Sequence, residues 1–174
     1  MSEFDGEPAE LLTAETSTLF EDVLNKGLGL RVRVTGRSMA PFLLGGELLT
    51  IKKVPCSSLR IGDLIFFKNP DGYPLLHRIV NKKCDKDIFL FQTKGDALIA
   101  LDDPVCEDQV LGKVCHIEKT GIWRERKDYD MESYLSRKLQ YCIARLNLFK
   151  SKTYLALSRK LSQIKNTNPG SHIQ

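Results

Sequence analysis

A mainly β fold with a short N-terminal helix and a C-terminal helical appendage is predicted by three features of the sequence. Over residues 28–120, short apolar runs recur between turns built from Gly, Pro, Asn and Asp, the rhythm of a sheet and not of a helical bundle. Between Gly121 and Pro169 there is no glycine or proline, and apolar residues fall at helical spacing, as an uninterrupted helical segment requires. A chain of 174 residues with 42% hydrophobic content buries one sizeable core, which fits one domain with an appendage better than two full domains. The expected organisation is an acidic N-terminus and short helix over 1–27, a β core over 28–120 and a basic amphipathic helical tail over 121–174.

The first ten residues are polar and acidic, with Gly6 and Pro8, and are expected to be poorly ordered. Thr18-Leu19-Phe20-Glu21 has the spacing of a capping box, and Gly27 supplies a stop, so a short helix is expected between them. Leu30, Val32 and Val34 then alternate with Arg31 and Arg33, the period of a half-buried strand. Gly45-Gly46 precedes a strand over 47–53, and Gly62-Asp63 opens the apolar run Leu64-Ile65-Phe66-Phe67-Lys68. Asn69-Pro70-Asp71-Gly72 is a strong turn signal, so a hairpin returns through Tyr73–Val80 and ends in a polar turn over 81–86. Further strands are expected over 88–93 and 110–117, with Lys94-Gly95-Asp96 and Asp102-Asp103-Pro104 as breaks between them. Beyond residue 121, Met131, Leu135, Leu139, Cys142, Leu146 and Phe149 keep helical spacing. One long helix and a helical hairpin broken near Asn147–Ser151 fit this pattern equally well.

Charge is divided unevenly. Residues 1–120 carry 15 Lys and Arg against 18 Asp and Glu, a net −3, while residues 121–174 carry 11 against 4, a net +7. No window approaches the roughly 18 consecutive apolar residues of a membrane span, and the N-terminus lacks the features of a signal peptide, so a cytoplasmic location is expected. Five cysteines, Cys56, Cys84, Cys106, Cys115 and Cys142, are an odd number without a CxxC pair, which argues for reduced thiols over a disulfide framework or a zinc site.

Candidate chemistry begins at Gly36-Arg37-Ser38-Met39-Ala40-Pro41. A serine at the end of a strand, in a turn set by glycine and proline, exposes one hydroxyl, but that hydroxyl needs a base within hydrogen-bond reach to become a nucleophile. His77 follows 39 residues later on an apolar strand, and Asp103 another 26 residues on. A lone histidine on such a strand is more often a core residue than a catalyst.

The joint pattern is more specific. Gly36-x-Ser38-Met39-x-Pro41, Gly62-Asp63, His77-Arg78, Thr93-Lys94-Gly95-Asp96 and Asp102-Asp103 stand in the order of the catalytic boxes of the signal peptidase I superfamily, which residues 30–118 resemble. Histidine at position 77 is similar to the endoplasmic-reticulum, archaeal and sporulation-type members, where bacterial leader peptidases use lysine. The resemblance implies a signal-peptidase-like β core, a serine endopeptidase activity on a peptide or protein precursor, and no metal or organic cofactor. It further implies that Ser38 attacks the scissile carbonyl, His77 accepts its proton and Asp103 orients the imidazole. Gly36, Met39, Pro41, Gly95, Asp96 and Asp102 would shape the site. Imidazole is an efficient base near neutral pH, and a carboxylate on its far nitrogen fixes the tautomer.

The sequence departs from the family at Gly36, where many members carry a serine that donates to the oxyanion, and at Glu47, where Asp is usual. Only 27 residues precede the core, too few for a helix-turn-helix domain, so no nucleic-acid partner is expected. In the tail, over residues 129–165, the stripe Leu135, Leu139, Cys142, Leu146 and Phe149 runs beside Arg137, Lys138, Arg145, Lys150 and Lys152. Such a helix packs on the core, pairs with a partner protein or lies in a membrane interface, the first being the usual fate of an amphipathic helix. From a different class, a catalytically inactive peptide-binding or scaffold protein on the same fold is the rival reading, and a peripheral membrane processing peptidase that uses its basic tail as an anchor is the third.

Overall fold

The computed structural model describes residues 14–86, 88–120 and 126–167. The elements are α1 (Ala14–Asn25), β1 (Leu30–Arg33), β2 (Leu48–Lys52), β3 (Leu64–Lys68), β4 (Pro74–Asp85), β5 (Ile88–Lys94), β6 (Val105–Cys106), β7 (Val110–Thr120), β8 (Arg126–Asp130) and α2 (Tyr134–Thr167). All eight strands join one antiparallel sheet in the order β1-β2-β7-β3-β4-β5-β6, with β8 on the far half of β7. The apolar run of β3 lies at its centre because both faces are covered there. Leu64 and Phe66 enter one cluster with Leu24, Met39, Leu49 and Ile117, whereas Ile65 and Phe67 enter a second with Leu59, Ile79 and Phe91, as the alternation of a strand dictates.

The helix expected from a cap at Thr18 begins instead by Ala14, which puts Thr18 inside α1. Glu21 pairs with Lys68 instead of capping, and Phe20 packs on Phe66 with ring centroids 5.6 Å apart. The stop at Gly27 is as expected: its φ is +74°, and Gly27 N–H and Leu28 N–H donate to the carbonyls of Leu24 and Val23, the paired bonds of a Schellman end. The polar turn expected over 81–86 is a strand continuing to Asp85, with Lys82 opposite Phe91 and Asp85 opposite Ile88. Lys82 makes this polar segment orderly, since its ammonium donates to the carbonyls of Cys56, Ser57 and Leu59 and lies 4.1 Å from the Phe89 ring centroid.

The tail is not wholly helical. Arg126–Asp130 pairs with β7 from His116 to Thr120, a strand held by backbone bonds that its polar sequence does not advertise. Helix α2 follows without a break at Asn147–Ser151, and Ser133 caps it by accepting the Ser136 N–H. Its docked face is small and polar: Gln140, Ala144, Asn147 and Ser151 are buried, while Leu135, Leu139, Leu146 and Phe149 are exposed. Close approach occurs at Gly62, φ +103°, where a Cβ would stand 2.7 Å from the Tyr141 backbone nitrogen, contact only a glycine permits. No helix among the described residues is long and apolar enough to cross a membrane. All five cysteines are free.

Lys113 ties β7 to the segment before α2, its ammonium 3.1 Å from Asp63 and 2.6 Å from Glu132. Burial works against its charge, but the hydrogen bonds and charges of Glu132 and Asp63 outweigh burial and hold its pKa above the usual lysine value. A lysine whose folded pKa is raised contributes stability in full below the unfolded value, about 10.4, and loses it as pH rises through the folded value. Lys113→Met is expected to cost about 2 kcal/mol at pH 7, less than a dry ion pair because Glu132 is half-exposed. The gap between the urea midpoints of the two proteins should narrow as pH rises beyond the unfolded lysine value and through the raised folded one; a gap of constant size would remove the ion pair as its cause.

Candidate active site

Ser38 is placed by burial on either side of it. The Val34 N–H donates to the Glu47 carbonyl and the Gly46 N–H to the Val34 carbonyl, closing the exit of β1 onto the start of β2. The Glu47 side chain, buried, accepts the N–H groups of Leu44 and Gly45 at 2.8 Å each and so closes this turn. Met39 and Leu43 are fully buried, and the Leu43 N–H donates to the Met39 carbonyl. These anchors fix the loop and leave Ser38 half-buried at its crest. Gly36 and Pro41 are exposed on either side, with a cis bond between Ala40 and Pro41.

Strand pairing brings the base to it. His77 stands opposite Ile65 in the β3–β4 register, is 4% exposed and packs its ring against Phe67. Its Nε2 is 3.1 Å from Ser38 Oγ and its Nδ1 is 2.7 Å from Asp102 Oδ2. A carboxylate only accepts, so the ring proton sits on Nδ1 and Nε2 is left to accept the Ser38 hydroxyl. Ser38, His77 and Asp102 thus form one continuous line of hydrogen bonds, brought together from β4 and two loops.

The carboxylate at the ring is Asp102 and not the expected Asp103. Asp102 is held on four sides: Thr93 Oγ1 donates to its Oδ2 at 2.7 Å, Gln92 donates to its carbonyl, its own N–H donates to the Thr93 carbonyl, and His77 takes the remaining direction. Asp103 is exposed and has no partner among the described residues. Adjacent residues of an extended segment point to opposite sides, and Pro104 keeps Asp103 extended, so only one of the two reaches the histidine. Thr93 lies in a motif the sequence singles out, yet its role as the second donor to Asp102 has no local signal.

Behind this line lies a brace. Asp96 is buried and accepts from Arg78 Nε and Nη2 at 2.8 and 2.6 Å, while Arg78 Nη1 donates to the Gly62 carbonyl. Arg78 is completely buried, with its guanidinium 4.7 Å from the Phe42 ring centroid. Asp96 therefore shapes the site through Arg78 and does not touch Ser38 or His77. From α2, Asn147 Nδ2 donates to Asp96 at 2.6 Å and Ser151 Oγ donates to the Ile99 carbonyl at 2.7 Å. The helix thus secures the loop that carries Gly95 and Asp102, a role the sequence does not reveal. At Gly95 there is no room for a side chain: a Cβ would stand 2.7 Å from the Ser38 carbonyl oxygen and 3.0 Å from His77 Nε2.

An apolar cleft opens beside Ser38, between Val32, Val34, Met39, Phe66 and Leu76. Lys94, buried one residue before Gly95, has its pKa lowered by desolvation, with the charges of Asp96 and Asp102 working against that shift. Among the described residues, no group of three or more His, Cys, Asp or Glu is arranged to hold a metal ion. No protein-family model, curated protein or solved structure matches the chain.

Proposed function

We propose that this chain is a serine endopeptidase that cleaves a peptide or protein precursor through an acyl-enzyme, as its resemblance to the signal peptidase I superfamily implies. The observation that carries this reading is the hydrogen-bonded line from Ser38 Oγ through His77 to Asp102. Ser38 Oγ attacks the scissile carbonyl as His77 Nε2 takes its proton. The imidazolium, stabilised by Asp102, then gives that proton to the departing amine. Water attacks the ester with His77 again as base, which releases the acid and restores Ser38. The Ser38 N–H, which has no acceptor among the described residues, is the candidate donor to the oxyanion.

An extended substrate fits the surroundings. Among the described residues β1 stands at one end of the strand order with a single neighbour, and it runs directly into the Ser38 loop, so a peptide adding to its other edge would be carried past the hydroxyl. The adjoining apolar cleft would take an alternate side chain of that strand, and family preference points to a small one. A serine-directed acylating probe tests the reading, with the labelled peptide identified by mass spectrometry. Labelling at Ser38 that His77→Ala abolishes supports the peptidase. A folded protein that takes no label would leave the peptide-binding scaffold in its place.

A further inference from the structure

Helix α2 holds eight Lys and Arg and no Asp or Glu across its 34 residues, and at 1.5 Å per residue it is about 50 Å long. Its docked face is the polar one, fixed by Asn147 to Asp96 and by Ser151 to Ile99. The core is therefore not what covers the apolar stripe. Leu135, Leu139, Leu146, Phe149 and Leu157 are 78%, 56%, 61%, 66% and 60% exposed, and at 100° per residue they share one face. Lys138, Arg145 and Lys152 recur every seven residues along one border of that stripe, and Lys150 lies on the other. None of these four is paired with a carboxylate among the described residues. From Lys152 to Lys160 no side chain is buried, so the helix outruns the core.

We propose that α2 lies along an anionic lipid bilayer surface, its apolar stripe in the interface and its cations at headgroup depth. Three properties of the helix select this occupant. A straight apolar band with basic borders on both sides matches a planar boundary whose interior is apolar and whose surface is negative. Lysine and arginine stems extend over such a stripe while their charged ends stay in water, and the exposed Tyr134 and Tyr141 have the amphipathic rings that settle at headgroup level. A second copy is disfavoured, because pairing two such stripes would bring two helices of the same strong charge into contact. The site stays above the membrane, since the face joined to Asp96 is the one turned away from the stripe.

The full chain should co-sediment with phosphatidylcholine vesicles containing about one-third phosphatidylglycerol at low salt, with at least about tenfold weaker binding to pure phosphatidylcholine or at about 0.5 M salt. Leu135→Gln/Phe149→Gln removes apolar surface and Lys138→Gln/Arg145→Gln/Lys152→Gln removes charge. Each set touches only exposed positions, so both proteins should keep the wild-type circular dichroism spectrum, and each should weaken vesicle binding about tenfold. No binding to anionic vesicles would overturn the proposal. So would binding that the Leu135/Phe149 pair leaves unchanged, since charge alone would then explain it and an acidic macromolecule would fit as well. A stable dimer in sedimentation velocity that the same pair dissociates would assign the stripe to a second copy. No substrate enters these measurements, so their outcome is independent of the peptidase reading.

Discussion

Ser38→Ala and His77→Ala are each expected to lower turnover about 10⁴- to 10⁶-fold, with the double variant little worse than either. In the proposed mechanism the two groups act as one unit. Without the hydroxyl there is no nucleophile, and without Nε2, 3.1 Å away, the hydroxyl stays protonated and weak. Adding the losses of the singles would be the outcome for two independent groups, so near-identity of the three variants is the informative result. Unfolding midpoints separate chemistry from folding: Ser38→Ala, at a half-buried loop crest, should stay within about 1 kcal/mol of wild type. Undiminished turnover in a folded Ser38→Ala protein would end the peptidase reading. The precursor-derived peptide used as substrate must first be shown to be cut by the wild-type chain.

Asp102→Asn should lower kcat about 10³- to 10⁴-fold with KM changed less than about threefold. Asparagine keeps the shape of the carboxylate but can present an N–H to His77 Nδ1. The ring then carries its proton on Nε2, which points a donor at the Ser38 hydroxyl and removes the acceptor it needs. Substrate binding is spared because the cleft beside Ser38 does not include Asp102. Asp103→Asn, at an exposed residue, should stay within about twofold of wild type. The comparison is sharp because the two substitutions are chemically identical and one residue apart. A large loss at Asp103 with a small one at Asp102 would take the orienting role away from Asp102.

The sequence by itself determined the features that local chemistry encodes. The alternation of Leu30, Val32 and Val34, the apolar run Leu64–Phe67 and the Asn69–Gly72 turn predict β1, β3 and the hairpin to β4, and the structure has all of them. Ser38 at the exit of a strand and His77 inside one were legible for the same reason, because side-chain period and turn residues act over a few positions. Where a segment is held by partners distant in the chain, the pattern failed. Polar Asn81–Asp85 is a strand because Lys82 reaches carbonyls more than twenty residues away, and polar Arg126–Asp130 is a strand because β7 offers it a free edge.

Only the tertiary structure decided which aspartate meets the histidine and which face of α2 meets the core. Asp102 and Asp103 are the same residue type in one extended segment, and their opposite directions follow from the bonds Asp102 makes to Thr93 and Gln92. In α2 the hydrophobic pattern points to Leu135, Leu139 and Phe149 as the buried side. The docked side is instead the polar one: Asp96, buried 51 residues earlier in the chain and already paired with Arg78, takes a further hydrogen bond from Asn147. At this contact the helix exchanges its apolar face for its polar one, because a buried carboxylate is stabilised by each donor it gains. No periodicity in the sequence records that exchange, because it is set between residues that only the fold brings together.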